Sequence, residues 1–297
     1  MTSAAQQAAQ RNRCTLFVED GEIIGVENWP GDQFIQRIRA PKCAAISRPG
    51  SFVHISCDDS LPMRRPLSIM RAGDDWIEIL YKIAGDGLLK LSQKGCGDAV
   101  SVLGPIGVPF RPAPARPNAL LIGGGVGIPP MVFLADELRR SRTWRPLAIL
   151  GSEIPFPFTL QQSALAVSGI ASKVSNAMPL LEDWGIPSRL TSLQGYDGCF
   201  DGYVTELADQ WLGTLSDEDL ANVQVFACGP TPMLKAVADL AARFDLPCQV
   251  SLEEFMACAV GGCAGCTVLV NTPDGQAMQR VCVDGPVFEA SSVVWES

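Results

Sequence analysis

Basic residues are scarce. Lys and Arg number 23 against 32 Asp and Glu, giving a formal charge of −9 over 297 residues. A surface of that sign repels a polyanion, so nucleic acid is excluded as an expected partner. Long apolar runs are missing too. The longest uncharged apolar stretch, Ala119 to Ala135, holds four glycines and two prolines, which would break any helix lying in lipid, and no membrane span is expected. Met1 to Gln10 carries neither a basic side chain nor an apolar core. No secretory or organelle-targeting signal is therefore expected, and the reading is a cytoplasmic chain with a flexible tail over 1–13. Eleven cysteines in that setting argue against a disulfide framework, because a cytoplasmic thiol pool reduces such bonds. No internal repeat is visible.

What remains is enough apolar material for two or three domains. At this length they bury about three quarters of their unfolded surface. The first hundred residues read as short strands bounded by Gly, Pro and Asp: Cys14–Glu19, Glu22–Val26, Phe34–Ile38, Ser51–Ser56, Trp76–Ile83 and Ala99–Val102. They predict an antiparallel β-barrel over 14–112, with a sandwich giving similar periodicity. Arg111 to Pro117, RPAPARP, is a stiff connector. A strand, a glycine-rich turn and a helix over Pro130–Arg140 follow; later strands are expected at Leu147–Leu150 and Val223–Ala227, and a helix at Thr231–Phe244. That alternation predicts an α/β domain with a parallel sheet over 113–247. A small third domain is expected over 248–297, where apolar elements are short and a metal would supply cross-links that packing cannot.

The densest chemistry is Cys258, Cys263, Cys266 and Cys282, spaced C-x4-C-x2-C-x15-C with Gly261, Gly262 and Gly265 between them. Four soft thiolates, three on a tight loop and one returned by a hairpin, suit two irons of a [2Fe-2S] cluster. A tetrahedral zinc site or four reduced core thiols are the alternatives. Upstream, Arg65, Pro66, Leu67 and Ser68 form RPLS before a strand. The arginine could pair with a flavin-nucleotide phosphate and the serine could meet the ring edge, although a plain surface turn reads the same way. Gly85 and Gly87, in GDGL, allow close approach of a diphosphate; Gly104 to Gly107 forms a second turn. Gly123, Gly124, Gly125 and Gly127 lie in GGGVGIPP at the strand-to-helix junction, where the helix amino end favours a pyrophosphate. The G-x-G-x-x-G fingerprint is absent there. Cys228, Gly229 and Pro230 follow the apolar VQVFA strand and could seat a nicotinamide ring, or could simply turn the chain. Glu153, after the second strand of this region, would repel a ribose phosphate and favours NADH over NADPH.

Taken together, RPLSI, GGGVGIPP, FACGPTPML, SLEEFMACAVGGCAGC and VCVDGPVFEA make the chain resemble the electron-transfer subunits of bacterial type 1B dihydroorotate dehydrogenase, in the ferredoxin-reductase superfamily, from Cys14 through Glu289. The resemblance implies FAD on Arg65, Pro66, Leu67 and Ser68, with Gly85 and Gly87 at its phosphates. It implies NAD on Gly123 to Gly127 and Cys228 to Pro230, and iron on the four cysteines. It further implies an FMN-containing catalytic partner subunit in a heterotetramer, with electrons passing from that FMN through the cluster and FAD to NAD+ in pyrimidine synthesis. No residue of this chain is assigned as catalytic, since dihydroorotate oxidation would belong to the partner. Leu88, Phe255 and Ala259 stand where that family commonly has Thr, Arg and Gly. A reductase component of another flavoenzyme or oxygenase is the competing reading, and a structural protein retaining redox folds a third.

Overall fold

The structure, a computed structural model, describes residues 15–295. The expected tail over 1–13 and Cys14 lie outside the described residues. Six strands open the fold: β1 (Phe17–Trp29), β2 (Gln33–Arg39), β3 (Phe52–Ser56), β4 (Arg65–Ala72), β5 (Trp76–Lys82) and β6 (Ala99–Ile106). They close as an antiparallel barrel in the order β1-β2-β5-β4-β3-β6, with β6 paired to both β1 and β3. Closure through β6 distinguishes the barrel from the sandwich. Alternate residues fill it, with Val53, Ile55, Leu67, Ile69, Ile77, Ile79, Val100 and Val102 in one core.

Two local expectations change. The described residues of the two strands expected between 14 and 26 fall in the single long β1, because Gly21 does not turn the chain. A Cβ there would press on Ile38 Cγ2 at 2.8 Å and Arg39 O at 3.0 Å, so this glycine serves close packing between strands. Gly85 does turn, at φ +72°, but a helix follows at once. After α1 (Pro41–Ile46), α2 (Gly85–Ser92) buries Leu88 and Leu91, three residues apart on one face.

The second layer runs β7 (Asn118–Gly124), α3 (Ile128–Leu138), β8 (Arg145–Gly151), β9 (Gln161–Gln162), β10 (Asn176–Ala177), α4 (Pro179–Asp183) and β11 (Ser188–Thr191). It continues through α5 (Val204–Leu212), α6 (Asp217–Leu220), β12 (Val223–Cys228), α7 (Thr231–Arg243) and β13 (Cys248–Ser251). The hairpin β14 (Thr267–Thr272) and β15 (Gly275–Arg280) follows, then β16 (Val287–Glu289). The main sheet has the order β11-β8-β7-β12-β13-β16, parallel except at its β16 edge. The sheet thus continues past residue 247. β13 and β16 flank the cysteine loop and its hairpin, so the last fifty residues are anchored at both ends in the α/β sheet, and Ala259, Cys266 and Cys282 join its core.

Barrel and sheet are locked together. Phe133 of α3 sits in the barrel core, while Met70 and Leu80 from the barrel sit in the core under α3. Such interdigitation holds the glycine turns of the two domains in a fixed relation.

Candidate functional site

The first corner lies on β4 and α2. Arg65 is half-buried, with Nη1 donating to the carbonyl of Met63 at 2.7 Å. Its guanidinium rests against Gly87, where a Cβ would stand 2.7 Å from Nε and 2.9 Å from Cζ. A side chain at position 87 would displace that guanidinium. The arrangement places a fixed planar cation beside the amino end of a helix, with Gly85 facing open space, which fits the diphosphate of a flavin nucleotide. Ser68 is half-buried on the same strand. Leu67 turns into the barrel core, which leaves only its backbone for a ligand.

The second corner lies where the strand order reverses. From β7 the chain moves outward through β8 to β11, then returns to β12 on the other side of β7. In open α/β sheets ligands bind at the carboxyl ends of the strands beside such a reversal. There, Gly123 pairs in register with Cys228. A Cβ on Gly229 would stand 3.3 Å from the Gly124 nitrogen, and one on Gly127 would collide with the Cys228 carbonyl. The two loops found separately in the sequence are therefore one wall. Gly125, at φ +54°, opens a short 3₁₀ turn into α3, whose second and third residues are Pro129 and Pro130. The prolines occupy positions whose N–H would lack a helical partner. The fit to a dinucleotide pyrophosphate is direct. Glu153 is exposed just past the end of β8, its carbonyl accepting from Gln194 Nε2 at 3.1 Å. Cys228 is 1% exposed. Burial, then the nearby Glu253 carboxylate, pushes its thiol well above the usual range, with a Ser251 hydrogen bond opposing. It is a neutral packing group that a ring could rest upon, and not a nucleophile.

The third site is the loop between β13 and β14. Cys263 is exposed and Cys258 half-buried, while Cys266 and Cys282 are buried. The Cys263 N–H donates to Cys258 Sγ at 3.4 Å and the Gly265 N–H to Cys263 Sγ at 3.4 Å. On the buried side, the Val281 N–H donates to the Cys266 carbonyl at 2.8 Å, which brings Cys282 beside Cys266. Backbone amides, the Val260 N–H foremost, lower the Cys258 pKa to about 7, whereas burial lifts Cys282 to about 12. A bound cation would overturn the latter, since a coordinated thiol is deprotonated outright. Among the described residues, no three His, Cys, Asp or Glu side chains converge on one ion. Three cysteines on one loop and a fourth beyond the hairpin are a soft sulfur donor set that fits two irons. Ala259 and Ala264 hold φ of +56° and +53°, conformations costly for L-residues and stored here by the loop.

Three contributors escaped the motifs. Arg280 donates to the Gly261 carbonyl at 3.1 Å and pairs with Asp284 at 3.2 Å, clamping the cysteine loop to its hairpin. Its i,i+4 spacing to Asp284 was the available signal. Met233 of α7 fills the space beside Gly124 and Gly229, which no sequence pattern announces. His54, on β3 opposite Pro66 and Leu103, is wholly buried with no hydrogen-bond partner for either ring nitrogen.

Residues 253–294 match the iron-sulfur cluster binding domain of dihydroorotate dehydrogenase B. The dihydroorotate dehydrogenase B (NAD(+)) electron transfer subunit of Caldanaerobacter subterraneus subsp. tengcongensis is 32% identical over 247 residues, 83% of this chain and 87% of that protein. The subunit of the same description from Desulforamulus reducens is 30% identical over 284 residues, 94% of this chain and 99% of that protein. Among solved structures, an NADH-dependent reduced ferredoxin-NADP oxidoreductase superposes with a TM-score of 0.73 at 27% identity, covering 93% and 90% of the two chains. A ferredoxin reductase of carbazole 1,9a-dioxygenase shares the fold at 20% identity and a TM-score of 0.61, over 78% and 67%. With kinship of that depth along nearly its whole length, the chain belongs to the family of dihydroorotate dehydrogenase B electron-transfer subunits.

Proposed function

We propose that this chain is the electron-transfer subunit of an NAD+-linked dihydroorotate dehydrogenase, carrying electrons away from an FMN-containing catalytic partner that oxidises dihydroorotate to orotate. The observation that carries the proposal is the coexistence, in one packed chain, of the four-cysteine loop with the two glycine-walled nucleotide corners. When bound, the [2Fe-2S] cluster supplies single-electron transfer, and FAD supplies the exchange between single electrons and the hydride accepted by NAD+. The chain's own residues bind and orient. Arg65 and the α2 amino end hold the flavin diphosphate, Gly85 and Gly87 give it room, and Pro66, Ser68 and the Leu67 backbone line the ring side. Gly123, Gly124, Gly125 and Gly127 admit the NAD pyrophosphate, and Cys228, Gly229 and Pro230 present a small apolar floor to its nicotinamide. Cys258, Cys263, Cys266 and Cys282 ligate iron.

In this proposal the working divisions are a barrel unit over 14–112, an NAD unit over 113–247 and a cluster unit over 248–297. The partner is present as a second copy pair, making a heterotetramer, and the assembly works in the cytoplasm. No described helix is long and apolar enough to cross a membrane.

The test is anaerobic affinity isolation of the full chain from its native cells. Flavin absorption, two irons and two acid-labile sulfides per chain are expected on general grounds of cluster chemistry, together with a bound flavoprotein that needs this chain to couple dihydroorotate oxidation to NAD+ reduction. Recovery of a partner whose donor is not dihydroorotate would replace the substrate half of the proposal; a zinc-loaded loop would end the relay itself.

A further inference from the structure

One buried amide joins the barrel to the loop that leaves β8. Gln33 opens β2, opposite Trp29 of β1 and Lys82 of β5, and is 3% exposed. Its Nε2 donates to the Pro30 carbonyl at 2.8 Å and to the Pro155 carbonyl, 122 residues along the chain, at 2.7 Å. Of the two ends of an amide, only the nitrogen can face a pair of carbonyl oxygens, and it has two hydrogens to give. Both are used, one in each domain.

The turn between β1 and β2 is shaped for this contact. Gly31 holds φ +80°, and a Cβ there would stand 3.0 Å from Ile154 Cδ1 and 3.6 Å from Gln33 Nε2. Bare backbone therefore lets the turn lie directly against Ile154. The Asp32 carbonyl accepts from the Ile83 N–H at 2.9 Å, which ties the turn to the end of β5.

The far side of the contact needs holding. Residues 153–158 read EIPFPF and belong to neither helix nor strand. The two prolines have no N–H with which to anchor it. From the α/β side the segment is fastened by Ser192 Oγ, donating to the Ser152 carbonyl at 2.8 Å, and by Gln194 Nε2 on the Glu153 carbonyl. Phe156 is buried, its ring 5.3 Å from that of Phe158 and 6.4 Å from that of Tyr196. From the barrel side Gln33 takes Pro155. Glu153 thus stands between two fixed points, one on each domain.

We infer that Gln33 is a positioning residue, strapping the Glu153–Phe158 loop to the barrel and so holding the Glu153 carboxylate where it sets the choice between NAD and its phosphorylated form. The strap is a property of the fold. Its consequence rests on the nicotinamide reading above, in which Glu153 repels a ribose phosphate.

The test uses full-length protein with flavin and cluster bound. Gln33→Leu keeps the bulk and removes both donors. The Ile154, Phe156 and Phe158 amides are expected to exchange about fivefold faster in this variant, the size of one lost hydrogen bond. Equal exchange in the two proteins would overturn the strap. NAD+ and NADP+ affinities, measured by calorimetry without turnover, should differ less in the variant. The preference for NAD+ is expected to fall by about fivefold, as the carboxylate gains freedom to swing from the ribose. In a Glu153→Gln background the same change should leave that preference where it was; a further fall there would overturn the route through Glu153. Should Gln33→Leu not fold, the wild-type side-chain amide decides: both Nε2 hydrogens are expected to exchange slowly, and a freely exchanging pair would overturn the strap. A wild type that binds neither dinucleotide would end the nicotinamide reading and the consequence with it. Amide exchange needs no nucleotide, so the strap is judged separately.

Discussion

Glu78 shows how one residue is made indispensable. It is 2% exposed on β5, yet its two carboxylate oxygens receive Arg37 at 2.9 Å and Arg71 at 2.6 and 2.8 Å, and both guanidiniums lie over the Trp76 ring. Glu78→Gln keeps the volume and removes the charge, stranding two cations against each other. A loss of about 3 kcal/mol of unfolding free energy is expected, read from the urea midpoint at constant m-value. His54 makes a second residue-scale prediction, in pH. Its folded pKa lies near 4 against an ordinary 6.5, so between those values the unfolded chain binds the extra proton. Stability from this group is therefore intact above pH 6.5 and lost as pH falls toward 4. The wild type should lose about 3 kcal/mol more than His54→Gln between pH 7 and pH 4. Parallel pH profiles for the two proteins would mean the ring is not held neutral.

At the scale of elements, the turn from β7 to α3 matters through what it touches. A Cβ on Gly127 would run into the backbone of Cys228 and Gly229, which has no side-chain freedom with which to yield. Gly125 has a positive φ but open space around it. Gly125→Ala should cost only about 1–2 kcal/mol of local strain, whereas Gly127→Ala should part the two loops. The expected outcome is at least a hundredfold fall in NADH-dependent flavin reduction for Gly127→Ala, with flavin content unchanged because Arg65 and α2 are remote in the chain. Equal effects of the two substitutions would argue that strain, and not contact, governs the corner. The same comparison explains what was legible in the sequence. GGGVGIPP announced its turn because glycine and proline restrict the backbone locally, and the four cysteines announced a shared loop by spacing. Strand register is not local. Nothing in GGGVG or ACGP states that Gly123 stands opposite Cys228, and CQVS and VFE are too short to show periodicity, so the anchoring of the cysteine unit in the main sheet appeared only with the fold. His54 was silent for the same reason: its burial is set by the pairing of β3 with β4 and β6, which no local pattern states.

For the whole molecule, the balance of charge is uneven. From Ser251 to Ser297 there are six Asp or Glu and one Arg, so the unit bearing the cysteines carries more than half of the net charge of −9 in under a sixth of the chain. Phe255, 96% exposed, stands in its midst. An exposed aromatic ring next in sequence to Glu253 and Glu254 suits an interface anchor with a charged rim, and in the proposed assembly it would meet a basic face on the catalytic partner. The acidic residues differ in role. Glu253 has its carboxyl pKa raised by desolvation and its charge in turn raises the Cys228 thiol, so the charge-reversal test uses Glu254 and Asp274, which are exposed. Steering predicts that reversing Glu254 and Asp274 to Lys slows coupling with the partner by about tenfold at low ionic strength. In 1 M salt the Debye length shrinks to about 3 Å, and the variant should then match the wild type. Phe255→Ala should behave in the opposite way, weakening the complex at every salt concentration through faster dissociation, because burial of a ring is not screened. Stopped-flow coupling rates for the two variants across a salt series separate these terms. A charge-reversal defect that persists undiminished at 1 M would mean that the acidic residues make direct contacts in the bound state and do not guide the encounter.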